Sequence, residues 1–116
     1  MASKRATTKY IIVDYTGTEA EIDMAELRRK NRSAGMLDVG VHYVIHRAAE
    51  PSAGRHENLC GNHVRGRNAD SIFILVAGTF GSLPEDQFNY LDALLDNIRR
   101  VHPDATVEHR CRAPSV

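Results

Sequence analysis

The sequence predicts an α/β domain, a central mixed β-sheet flanked by helices, and three observations carry that expectation. Ser71 to Ala77 is a continuous apolar run of strand length, rich in β-branched and aromatic residues, as a strand covered on both faces requires. From Pro84 to Val101, Phe88, Leu91, Leu94, Leu95 and Ile98 recur at three- and four-residue spacing, which lines one face of a helix. Apolar strand-like runs alternate with helical patterns along the chain, the arrangement that puts helices on the faces of a sheet.

Taken in order, Met1 to Lys9 is polar and basic and reads as a flexible N-terminal arm, with a single domain over residues 10–116. Tyr10-Ile11-Ile12-Val13 is a buried strand ended by the turn-like Thr16-Gly17-Thr18. Ile22 to Lys30 is weakly amphipathic, with Asp23 as its cap and Gly35 as its end. Val39 to His46 is the second strand, followed by a turn at Pro51-Ser52-Ala53-Gly54. His56 to Asp70 is polar and punctuated by glycine, hence loop. The long helix opens on Pro84, with Glu85 and Asp86 suited to its positive end, and closes on Arg99 and Arg100 before Pro103. Ala105 to Glu108 forms a last short strand.

Composition narrows the function classes. With 116 residues the chain is one domain that buries a core without staples. Fifteen basic and fifteen acidic residues cancel, so no nucleic-acid or anionic-membrane partner is indicated. No stretch of about 18 apolar residues exists to span a bilayer, and the amino terminus lacks the apolar segment of a secretory signal. Two cysteines, Cys60 and Cys111, form no framework, which suits a reducing compartment, the cytoplasm of a host cell.

The stretch Gly61-Asn62-His63-Val64-Arg65-Gly66-Arg67-Asn68-Ala69-Asp70-Ser71-Ile72 matches G-x-H-x-x-G-x-N-x-x-S-I at all six fixed positions. That signature resembles the zinc-dependent N-acetylmuramoyl-L-alanine amidases, the family of small phage lysozymes and peptidoglycan recognition proteins. Leu37-Asp38-Val39-Gly40 followed by His42-Tyr43-Val44-Ile45 is similar to the family's L-D-V-G-Y-H-F-I-I strand. Gly54-Arg55 fits its later G-R, and Glu108-His109-Arg110-Cys111-Arg112-Ala113-Pro114 resembles G-H-R-D-V-A-P.

The resemblance implies an amidase-like fold and a zinc held by three protein ligands, with a water in the fourth place. It also implies where this chain departs. Asp14 stands where the family has its first histidine ligand, and His109 keeps the second. The third, a Cys or Asp several residues beyond Ala113-Pro114, has no counterpart before Val116. Val41 replaces a tyrosine that assists the catalytic water and, having no polar atom, moves no proton. The expectation from these losses is a catalytically inactive phage- or prophage-type protein without cofactor. It would act by binding a bacterial host protein, RNA polymerase or a defence complex such as CRISPR, as an inhibitor or regulator. The alternatives are a zinc-dependent amidase cleaving peptidoglycan, and a module that binds a peptidoglycan fragment without cutting it.

Several side chains stand out as candidate site residues. Asp14, His109 and Cys111 are a relic metal set, Cys111 lying two residues from His109 on an extended segment. His63 either meets substrate or pins its loop by hydrogen bonds, with Gly61, Gly66 and Asn68 in unusual backbone angles. Arg65, Arg67, Arg55 and Arg47 are candidates for a basic binding face. Cys60 beside His63 is a nucleophile only if its pKa is depressed. His42, inside a strand, reads as a satisfied half-buried imidazole.

Overall fold

In a computed structural model that describes residues 3–33 and 39–111, the sheet has five strands in the order β3-β2-β4-β1-β5. These are β1 (Tyr10–Tyr15), β2 (Tyr43–Ile45), β3 (Ser52–Ala53), β4 (Ser71–Val76) and β5 (Thr106–Cys111), with helices α1 (Met24–Ser33) and α2 (Glu85–Val101). β1 pairs in parallel with β4 and β5, β4 in parallel with β2, and β3 runs antiparallel at the edge. The sheet is mixed, and β4 lies at its centre as the apolar run requires.

Alternation along the strands divides the core in two. Ile11, Val13 and Tyr15 join Ile72, Ile74 and Val76 beneath Leu91 and Ile98 of α2. Ile12 joins Val39, Val41, Val44, Phe73 and Leu75 on the other face, with Ile22, Met24 and Leu27 packed against it. Each parallel connection therefore carries its helix to a different face, and the layers are helix, sheet, helix.

Differences from the expected elements have local causes. α1 begins at Met24 because the Asp23 carboxylate accepts from the N–H groups of Ala25 at 2.9 Å and Glu26 at 3.3 Å, a side-chain cap. Gly35 lies outside the described residues. β2 is shorter than the apolar run suggests, and Val39 and Val41 are buried before it begins. The Pro51–Gly54 turn region contains the short β3. The last strand runs on to Cys111, carried by its pairing with all of β1. The polar arm lies against the 56–60 loop, Lys4 bridging Leu59 and Arg5 N–H donating to Asn58 O at 2.7 Å.

α2 departs most in its buried face. Leu91 and Ile98 are buried, but Phe88 is 54% exposed and Gln87 takes the inward position. Leu91→Ala should therefore cost about 2–4 kcal/mol, as large-to-small core changes do. Phe88→Ala should stay within about 0.5 kcal/mol. Urea denaturation of both variants checks the pair, and equal losses would mean that the buried face is misassigned.

Candidate functional site

The signature loop, which leads into β4, is held by one of its own polar side chains. Asn68 Oδ1 accepts from the N–H groups of His63 at 3.0 Å and Val64 at 3.2 Å. Gly66 has φ +84°, a left-handed conformation that favours glycine. Gly61 lies so close to the Phe73 ring that a Cβ there would come within 2.5 Å of it. Gly61 and Asn68, expected to share the left-handed angles, do not; among the described residues positive φ occurs at Gly17, Gly66 and Gly81 and at no non-glycine residue. The part of Asn68 in the signature is the carbonyl that ties the loop.

This loop delivers His63 to the end of β1. His63 Nε2 lies 2.7 Å from Asp14 Oδ2, with both side chains nearly buried. The His63 ring packs edge-on against Phe73, 5.4 Å between centroids. With Nε2 engaged by the carboxylate, Nδ1 is the ring nitrogen left to exchange a proton.

The relic metal set does not assemble. Parallel register sets Asp14 beside Arg110, and sets His109 beside Val13 and Cys111 beside Tyr15. Registered partners share a face, so His109 and Cys111 lie on the α2 side and Asp14 on the other. The contacts agree. His109 Nδ1 meets Tyr15 Oη at 2.9 Å, and its ring packs against Tyr15 and Phe80. Burial holds His109 below the usual imidazole range; it also pushes the Tyr15 phenol up to about 12, with the nearby Cys111 adding to the rise. Among the described residues no three His, Cys, Asp or Glu side chains are grouped to hold a metal ion. The zinc implied by the resemblance does not fit these residues, because the one carboxylate in the ligand position is hydrogen-bonded to His63 and the retained histidine faces away.

The arginines do not form one face. Arg67 pairs with Glu108 at 3.0 Å and stacks over Tyr10. Arg55 donates to Cys60 O at 2.8 Å, Arg65 is exposed on the loop, and Arg47 lies on the α2 side with Gln87. Residue type predicted a basic groove, but three of the four guanidinium groups are directed to different neighbourhoods. Cys60 is half-buried and Cys111 exposed, both as free thiols. His42 is satisfied at both nitrogens: Nδ1 accepts from Phe73 N–H at 2.9 Å, which leaves Nε2–H to donate to Leu59 O at 2.8 Å.

Sequence reasoning passed over Glu21. Its carboxylate accepts from the N–H groups of Ile22, Arg47 and Ala48 and meets His46 Nδ1 at 3.1 Å. Burial alone would raise its pKa, but those hydrogen bonds outweigh it and hold the carboxyl at about 2. His46 Nε2 reaches Ser52 Oγ at 2.7 Å, so one acid fixes the loop after β2 and the edge strand. Only its place ahead of an amphipathic segment was visible in the sequence.

The sequence profile described as N-acetylmuramoyl-L-alanine amidase matches residues 4–115. The endolysin of Klebsiella phage KP32 is 29% identical over 109 residues, covering 92% of this chain and 72% of its own. Among solved structures, bumblebee PGRP-SA superposes with a TM-score of 0.80 at 20% identity, covering 94% of this chain and 74% of its own. The N-acetylmuramoyl-L-alanine amidase LysC from Clostridium intestinale gives 0.76 at 21%, covering 89% and 70%. These likenesses bear out the fold. The curated sequence relatives are endolysins by name, which overturns the expectation of an inactive inhibitor of a host protein. That expectation gave most weight to the lost site residues, whereas the match runs over residues 4–115.

The Glu21 nest has a pH consequence. Its folded pKa lies below the ordinary value of 4.5, so its contribution is present above that value and is lost as pH falls towards about 2. The carboxylate is 43% exposed, so solvent screening reduces the effect. Glu21→Gln should flatten the fall in melting temperature across that window, and an unchanged acid limb would show that the nest contributes nothing.

Proposed function

Because the chain belongs to the N-acetylmuramoyl-L-alanine amidase family, we propose that it acts on peptidoglycan, hydrolysing the amide between N-acetylmuramic acid and the L-alanine of the stem peptide. The observation that carries this reading is the family match over residues 4–115, supported by endolysin relatives that cover most of the chain. The chemistry is assigned to what the chain itself presents, the buried Asp14–His63 pair beneath the signature loop.

In this reading Asp14 orients His63 through Nε2, and Nδ1 takes a proton from water as the water oxygen bonds to the amide carbonyl carbon. The carbon–nitrogen bond then breaks, and the proton passes from Nδ1 to the departing amine of L-alanine. A second reading, recognition of a muropeptide without cutting, is favoured by the separation of His109 from Asp14 and by the buried, apolar Val41.

Digestion of purified peptidoglycan, followed by mass spectrometry for stem peptides with a free L-alanine amine, separates the two. Wild-type protein should release them. His63→Ala and Asp14→Asn should each slow release by about 10²–10⁴-fold, the range of acid–base contributions. His109→Ala should stay close to wild type. Muropeptide binding with no release would support recognition alone, and loss of release in His109→Ala alone would move the chemistry to the α2 side.

A further inference from the structure

We infer that the cleft at the start of α2 is a saccharide subsite, taking one pyranose ring of a glycan strand. This inference rests on the peptidoglycan reading for the origin of the sugar. The cleft, about 300 Å³, is lined by His46, Arg47, Glu50, Asp86, Gln87 and Tyr90. It lies beyond the carboxyl ends of β2 and β4, the end of a parallel sheet where ligands enter. It is on the α2 side, whereas Asp14 and His63 face the other way.

Gln87 supplies the strongest clue. Its side chain is 1% exposed, and Nε2 donates to Ala77 O at 2.7 Å. That bond fixes the amide orientation, since a carbonyl oxygen cannot face another carbonyl as a partner. Oε1 is thereby left as a buried acceptor with no donor among the described residues. Arg47 lies near the same place: a Cβ built on Gly78 would meet Leu83 Cδ2 at 2.7 Å, Arg47 Nη1 at 3.5 Å and Gln87 Oε1 at 3.7 Å. Donor and acceptor therefore both lie close to Gly78, and both line the cleft. The loop that carries Arg47 is fixed by the Glu21 carboxylate, so the arrangement is held in place before a ligand arrives.

The lining selects among ligands. Gln87 Oε1 needs a hydrogen-bond donor, which a carboxylate ion lacks and which hydrogen phosphate offers only together with its negative charge. Glu50 and Asp86 at the rim oppose an anion, and Arg47 opposes a simple cation. A neutral hydroxyl group both donates to Gln87 and accepts from Arg47. Tyr90, 40% exposed, adds an aromatic surface for the apolar face of a sugar ring. α2 starts with no side-chain cap, so first-turn N–H groups remain for a hydroxyl or acetamido oxygen.

The test is titration of isotope-labelled protein with the tetramer of N-acetylglucosamine, followed by NMR. Shifts should concentrate on the Gln87 side-chain amide, Arg47 and Tyr90. Tyr90→Ala and Arg47→Ala, both outside the core, should each weaken binding by about tenfold, or about 1.4 kcal/mol, with the melting temperature unchanged. Inorganic phosphate is the comparison; equal shifts with phosphate would make this an anion site and overturn the assignment. An unperturbed cleft at saturating saccharide, or shifts confined to the Asp14–His63 side, would also overturn it. Cleft binding without peptidoglycan hydrolysis would sink the amidase reading alone, and hydrolysis with a silent cleft would sink the subsite alone.

Discussion

The register between β1 and β5 governs what this domain can do. Both strands alternate their side chains, and the parallel pairing sets Val13 beside His109 and Asp14 beside Arg110. Shifting that pairing by one residue would reverse the face on which every β5 side chain lies. As it stands, His109 is committed to Tyr15 and Phe80 under α2, and Asp14 is committed to His63 under the signature loop. Two residues that resemblance places in one metal site are separated by the thickness of the sheet. The apolar neighbours enforce this, because Val13 and Tyr15 are buried beneath α2 and Ile12 is buried on the other side.

The elements built on a simple period were legible in the sequence. β4 and β1 are continuous apolar runs, and α2 has a strong three-four repeat with charges placed to suit its ends. The misreadings came where a polar residue took an apolar place. Gln87 is buried in α2 because its amide caps the carbonyl of Ala77, and Phe88 turns outward to the cleft beside Tyr15 and His109. A periodicity count sees only that Phe88 is hydrophobic and Gln87 is not. The polar ties between distant segments were equally invisible: Glu21 reaches the backbone of Arg47 and Ala48 across 26 and 27 residues, and Asp14 to His63 spans 49. No local pattern announces them.

Of the candidate site, the sequence showed the cast and not the grouping. His63, Asp14 and His109 were all singled out, yet which two meet depends on strand register and on a loop pinned by Asn68. The resemblance sets Arg47, Arg55, Arg65 and Arg67 along one loop face. Their side chains instead find separate acceptors, Glu108 for Arg67 and Cys60 O for Arg55. Guanidinium groups satisfy themselves locally whenever a carboxylate or carbonyl is within reach.

The change at residue 14 also explains why the signature loop keeps its shape. A buried carboxylate with no partner is costly, and a buried imidazole with an open donor is costly too. Placing Asp14 at the end of β1 brings its carboxylate within 2.7 Å of the His63 imidazole. Substituting Asp14 alone removes the carboxylate that His63 Nε2 meets in a pocket formed with Phe73. The pair is therefore coupled in stability as well as in the chemistry assigned to it. A double substitution of Asp14 and His63 by apolar residues of similar volume should cost less than the sum of the single changes, because the two side chains are in direct contact and each single change loses the same hydrogen bond.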